Sequence, residues 1–126
     1  MTFLVPIRTI SALNAREHHY ARAKRVKVER NAVRVVALAS GFMCDDGCGE
    51  LAINPPVAVT LTRIASRKID GHDGLPASLK GVADEIAALL GLKSDDDERV
   101  TWKYAQSNEG RGVYGVRVSI EPRGRR

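Results

Sequence analysis

The carboxylates best placed for chemistry fall in two short segments. Asp70 and Asp73 lie in the glycine-rich run R-K-I-D-G-H-D-G, and Asp95, Asp96 and Asp97 lie in K-S-D-D-D-E. Clustered oxygen ligands suit a hard divalent cation such as Mg²⁺ or Mn²⁺. Crowded carboxylates repel one another, and an ion relieves that repulsion while polarising a phosphodiester and activating water. The competing reading is structural, because aspartate is common in solvated turns and Asp73 is placed to cap a helix. Between the two segments, Lys80 and Asp84 are four residues apart and share one helix face. They form either a surface ion pair worth about a few tenths of a kcal/mol or a site in which Lys80 faces a phosphate or leaving oxygen. His72 offers a DNA hydrogen bond or an accessory ligand, against the plainer reading of an exposed loop histidine.

Periodicity predicts the elements that must position these groups. T-F-L-V-P-I reads as a short strand, at an edge because of Pro6. Asn14 with Glu17 resembles a capping box. A long helix is expected from there through Ala21, Val26, Val28, Ala32, Val35, Val36 and Leu38 to Gly41. V-A-V-T-L-T-R-I, from Val57 to Ile64, alternates most cleanly and is the strongest strand. Leu75 to Leu90 returns to helical period with Leu79, Val82, Ala83, Ile86, Leu89 and Leu90 on one side, and Gly91 stops it. Val100, Trp102 and Tyr104, then Val116, Val118 and Ile120, predict two strands paired through Q-S-N-E-G-R-G.

The expected order is β-α-β-α-β-β, with a possible extra strand near Leu51 to Ile53. That order describes an α+β domain with two helices on a mixed or antiparallel sheet. The second helix would be about 24 Å long, so its two acidic ends can share an ion only under one of two conditions. Either the acidic turn folds back along the helix, or the strand it enters lies beside the strand ending at Arg67; a compact sheet favours the second.

The 126 residues fit one domain. Hydrophobic residues at 44% and charged residues at 28% match ordinary globular composition. No apolar run approaches the roughly 20 residues of a membrane helix, and the N-terminus carries no signal-peptide pattern, so a cytoplasmic location without membrane contact is expected. Cys44 and Cys48 lack a second ligand pair for zinc and read as free thiols in a turn.

Net charge is +5, and its distribution is uneven. Eight Lys/Arg fall between Arg8 and Arg34, five arginines lie from Arg111 to Arg126, and eight acids occupy Asp70 to Glu98. Basic flanks suit phosphate neutralisation, and a solvated helix face with a ragged tail is the plain alternative. The candidate nucleic-acid contacts are Arg16, Arg22, Lys24, Arg25 and Lys27 in the first helix, with Arg63 near the end of the strongest strand and Arg67 and Lys68 after it.

The run from Lys68 to Tyr104 resembles the core of the RusA family of Holliday junction resolvases, particularly its bacteriophage and prophage members. That family carries an aspartate pair before Asn-Leu, a helix with a lysine and an aspartate four apart, and a paired-aspartate turn entering a strand. The resemblance covers roughly a third of the chain. N-A-R-E-H-H-Y-A-R-A-K-R resembles the basic N-terminal helix of phage members more weakly.

The resemblance implies that Asp70 and Asp73 are the first two metal-binding aspartates, Lys80 the catalytic lysine and Asp95 the third acid, with Asp96 or Asp97 as substitutes. It further implies a Mg²⁺-dependent homodimer in a bacterial host cell, nicking branched DNA symmetrically. Two departures stand out. The Asp-x-Asp pair becomes Asp70-Gly71-His72-Asp73, and Gly74 replaces the asparagine.

Overall fold

The computed structural model of the chain describes residues 1–9, 19–44, 49–69, 71 and 74–123. Its elements are β1 (Thr2–Val5), α1 (His19–Ala39), β2 (Val57–Ile64), α2 (Gly74–Ser78), α3 (Lys80–Leu89), β3 (Val100–Ser107) and β4 (Gly115–Pro122). Four strands form one mixed sheet in the order β1-β4-β2-β3. β4 runs antiparallel to both β1 and β2, and β3 runs parallel to β2. The fold is therefore α+β, with three helices among the described residues.

Strand alternation sorts the side chains onto two faces. Phe3, Val5, Val57, Val59, Leu61, Val116, Val118 and Ile120 are all buried on one face, where they meet Val33 and Ala37 of α1 and Val82, Ala83 and Ile86 of α3. Complete burial of a side chain such as Leu61 or Ile86 contributes about 1.5–3 kcal/mol, and this layer holds the sheet and helices in register. Thr60, Thr62, Thr101, Lys103 and Ser119 occupy the other face and keep contact with solvent.

Four expectations change. β3 and β4 are not a hairpin: β2 lies between them and pairs with both. The Q-S-N-E-G-R-G connection therefore spans a neighbouring strand rather than closing a tight turn. The helix expected over Leu75–Leu90 is two helices, broken at Leu79 (φ −105°, ψ 8°). Leu79 is fully buried and its N–H turns back to the Pro76 carbonyl at 3.2 Å, which sets α2 apart from α3 and lets it touch β3.

α1 buries a narrow stripe, Glu29, Val33 and Ala37, and leaves Val28, Val35 and Leu38 more than half exposed. The extra strand near Leu51 reduces to a single bridge between Met43 and Leu51. The expected capping pair Asn14 and Glu17, together with Cys48, lies outside the described residues. Cys44 is a free thiol.

The stop at Gly91 follows from local geometry. Gly91 takes φ +78°, its N–H bonds the Ala88 carbonyl at 3.0 Å, and the Leu92 N–H bonds the Ala87 carbonyl at 2.9 Å. This is a Schellman ending, and it turns the chain so that residues 92–97 return alongside α3.

Candidate active site

Three side chains at alternate positions on the helix-facing side of β3 organise the site: Trp102, Tyr104 and Gln106. The Trp102 indole N–H donates to the Asp95 carbonyl at 2.6 Å. Gln106 clamps Ile69 by both ends of its amide, accepting from the Ile69 N–H at 2.9 Å and donating to the Ile69 carbonyl at 2.8 Å. The acidic turn and the residue preceding Asp70 are thus tied to one strand face. Their anchors are four residues apart, about 13 Å along a strand.

Lys80 starts α3, and its Nζ lies 2.8 Å from Asp95 Oδ2 and 3.2 Å from Asp84 Oδ1. The lysine is 58% exposed, Asp84 30% and Asp95 23%, so solvent reaches the cluster from the lysine side. The hydrogen bond to Asp95, assisted by Asp84, raises the Lys80 pKa above its ordinary value against a smaller desolvation effect. The stabilisation from this pairing is complete below the unfolded lysine pKa and is lost only as pH rises through the higher folded value. Lys80 therefore stays an ammonium at neutral pH. Tyr104 lies close by, and burial, then the negative charge of Asp95, raises its phenol pKa.

The three consecutive aspartates have separate partners. Asp95 faces Lys80. Asp96 is exposed and accepts from the Ser94 hydroxyl. Asp97 takes the Arg99 backbone N–H at 2.9 Å and the guanidinium at 3.1 and 3.0 Å. These bonds hold its carboxyl at a pKa of about 2, from an ordinary 3.8.

The route that brings Asp95 to Lys80 differs from the favoured expectation. β3 does lie beside β2, but in parallel: Val100 pairs with Val57 and Ser107 with Ile64. The entrance of β3 is therefore at the opposite end of the sheet from the exit of β2. Folding of the acidic turn back along α3 makes the contact instead, and it joins residues 15 apart in sequence.

Asp70, His72 and Asp73 lie outside the described residues. Their described flanks, Ile69 held by Gln106 and Gly74 opening α2, both belong to segments that meet β3. Among the described residues no three acid, His or Cys side chains converge as a metal group. Asp84 and Asp95 do converge on one cationic nitrogen. Two carboxylates around a positive charge are the donor chemistry that fits Mg²⁺ or Mn²⁺.

The basic residues divide by surroundings. Arg22, Lys24, Lys27, Arg67 and Lys68 are exposed. Arg16 lies outside the described residues. Arg25 is 3.2 Å from the buried Glu29 one turn along α1.

Arg63 points inward rather than to a surface that DNA could reach. It is 7% exposed and donates to Thr9 Oγ1 at 3.1 Å, the Thr9 carbonyl at 3.3 Å and the Arg67 carbonyl at 2.9 Å. Burial, then the charge of Arg8, lowers its pKa from the usual guanidinium value. Its place on the core-facing side of β2, at an odd-numbered position with Val57, Val59 and Leu61, is the signal that assigns it inside.

Spacing did not single out Trp102, Tyr104 and Gln106 as site residues, although their alternation beside an acidic turn is visible. Nor did it find the ion pairs of Arg30 and Arg34 with Glu85, because more than 50 residues separate the partners. No protein-family model matches this chain, and no curated protein matches it.

Proposed function

We propose that this protein is a Mg²⁺-dependent, structure-specific endodeoxyribonuclease of the RusA kind, acting as a homodimer on four-way junctions or related branched DNA. The observation that carries the proposal is the convergence of Lys80, Asp84 and Asp95, at 2.8 and 3.2 Å, within the segment that reads as RusA-like. Asp95, with Asp70 and Asp73, would hold the cation, and Asp96 is the nearest exposed carboxylate to extend the set. When bound, the ion supplies polarisation of the scissile phosphodiester and activation of water.

The chain's own residues then have distinct tasks. Trp102 holds the backbone of the acidic turn, so that Asp95 keeps its aim. Lys80, protonated at Nζ, neutralises charge developing on a phosphate or leaving oxygen. Gln106 fixes Ile69, immediately before Asp70, against the same strand. Exposed Arg67 and Lys68, just before it in the chain, offer contacts to the DNA backbone.

A second reading, a branched-DNA-binding protein without cutting activity, is favoured by the extra residue in Asp70-Gly71-His72-Asp73. A cleavage assay on a synthetic mobile four-way junction, with Mg²⁺, Mn²⁺ or EDTA, separates the two. Paired, metal-dependent nicks lost in Asp70→Asn support the nuclease. Junction binding with no nick in either metal moves the assignment to the binder.

A further inference from the structure

A groove of about 720 Å³ runs along α1 and is closed on the α3 side by Glu85 alone. Arg22, Lys27, Arg30 and Arg34 line it, with Glu85 at its base. Glu85 is 2% exposed, an unusual place for a carboxylate, and both of its oxygens are used. Oε1 accepts from Arg30 Nε at 2.9 Å, and Oε2 accepts from Arg34 Nε at 3.1 Å. The two arginine side chains nevertheless remain 41% and 59% exposed. Each guanidinium is fixed through one edge and keeps further N–H donors for an anion.

Four cations around a single carboxylate leave the groove strongly positive. Arg22 to Arg34 spans about 18 Å along α1, over which one strand of duplex DNA presents about five phosphates. A buried carboxylate holding two guanidinia in place reduces the side-chain entropy lost when they grip a ligand.

We propose that the α1–α3 groove binds the phosphodiester backbone of a nucleic-acid strand, with Arg30 and Arg34 as its fixed contacts and Arg22 and Lys27 as its rim. The inference rests on the nucleic-acid part of the proposed function and adds the path of the strand. Asp84 and Glu85 are consecutive on α3, so their side chains diverge by about 100° around a helix about 10–12 Å wide. A strand seated in the groove runs along α1 and meets α3 at Glu85, on a different face of that helix from the Lys80 cluster. The groove would hold an arm of the substrate beside the centre rather than at it.

The test is fluorescence-anisotropy binding of labelled four-way junction and duplex to the full chain in EDTA, over a series of salt concentrations. Cutting is scored separately in Mg²⁺. Arg22→Ala/Lys27→Ala and Arg34→Ala are compared with Lys103→Ala, which removes a charge from the opposite face of the sheet. The expected result is a slope of log K against log salt that falls by about one for each groove contact removed, with no change for Lys103→Ala. Circular dichroism melting identifies any variant that fails to fold, and the rim variant, which breaks no ion pair in the described residues, then decides.

Slopes that stay at the wild-type value in the folded groove variants would overturn the groove, even if junctions are still cut. Salt-independent or absent binding by the wild type overturns it too, and points to an acidic protein partner instead. Reduced slopes with no cutting in Mg²⁺ would uphold the groove and remove only the nuclease.

Discussion

Glu85 lies on α3 and Asp95 in the turn that follows it, and both are carboxylates paired with cationic side chains, yet their surroundings set them different tasks. Glu85 is buried to 2% exposure, and each of its oxygens is committed to an arginine. Asp95 is 23% exposed and meets a lysine that is itself 58% exposed. The first pairing joins α1 to α3 and keeps its carboxylate out of solvent. The second sits in a turn that solvent reaches, where a lysine ammonium is a partner that another cation can displace. A buried carboxylate with an arginine on each oxygen positions its neighbours, whereas a partly exposed one paired with an exposed lysine keeps capacity for a ligand.

The largest effect expected from this contrast is on cutting. Lys80→Met should lower the rate of junction cleavage by about 10²–10³-fold, the range seen when one charge-stabilising donor is removed. Its effect on stability should stay under about 1 kcal/mol, because the pair is solvent-exposed; single-turnover cleavage and denaturant melts measure the two. An equal loss of stability and activity would make Lys80 a structural residue like Arg30.

Next in size is the interior. Arg63→Ala removes the buried donors to Thr9 and to the Arg67 carbonyl, at a cost of about 2–4 kcal/mol by denaturant unfolding. DNA affinity per folded molecule should be unchanged. Weaker DNA binding with wild-type stability would place Arg63 on the surface after all.

Glu85→Ala ranks below it, at about 1–3 kcal/mol, because it leaves two guanidinia unpaired at the α1–α3 seam while water still reaches them. The two helices approach closely at Gly81, where a Cβ would lie 2.8 Å from Glu29 Oε1 and 3.5 Å from Val26 Cγ1. A bulkier residue there should destabilise the same seam.

These residues also mark what was legible in the sequence. β2 announced itself because V-A-V-T-L-T-R-I alternates over eight residues, and the Gly91 stop because a positive-φ helix ending has a local residue preference. That β3 lies beside β2 was legible from the two acidic segments, but the parallel sense of the pair was not. A glycine-containing connection before β4 reads as a hairpin, whereas β2 separates β3 from β4.

Within the site, Lys80 and Asp84 were readable from their four-residue spacing. Asp95 was singled out from three consecutive aspartates by the family resemblance and not by spacing, which does not reveal that Arg99 occupies Asp97 or that the turn folds back along α3. The inward aim of Arg63 was legible in principle from strand parity. Its charge drew the reading outward.

The smallest expected effect concerns that choice among aspartates. The carboxyl of Asp97 should titrate near pH 2 in an NMR pH series and move back toward 3.8 in Arg99→Ala. Because this pKa is depressed on folding, the pair stabilises the fold above the unfolded value of 3.8, and that contribution is lost as pH falls toward 2. A midpoint near 3.8 in the wild type would free Asp97 for the role given to Asp95.

The most direct measurement is metal-dependent cleavage of a four-way junction by Asp95→Asn beside Asp97→Asn, in one buffer with Mg²⁺ and at matched folded protein. Loss of both nicks in Asp95→Asn, with near-normal cutting by Asp97→Asn, is the expected result. Undiminished cutting by Asp95→Asn would contradict the assignment of the Lys80–Asp84–Asp95 cluster as the catalytic centre.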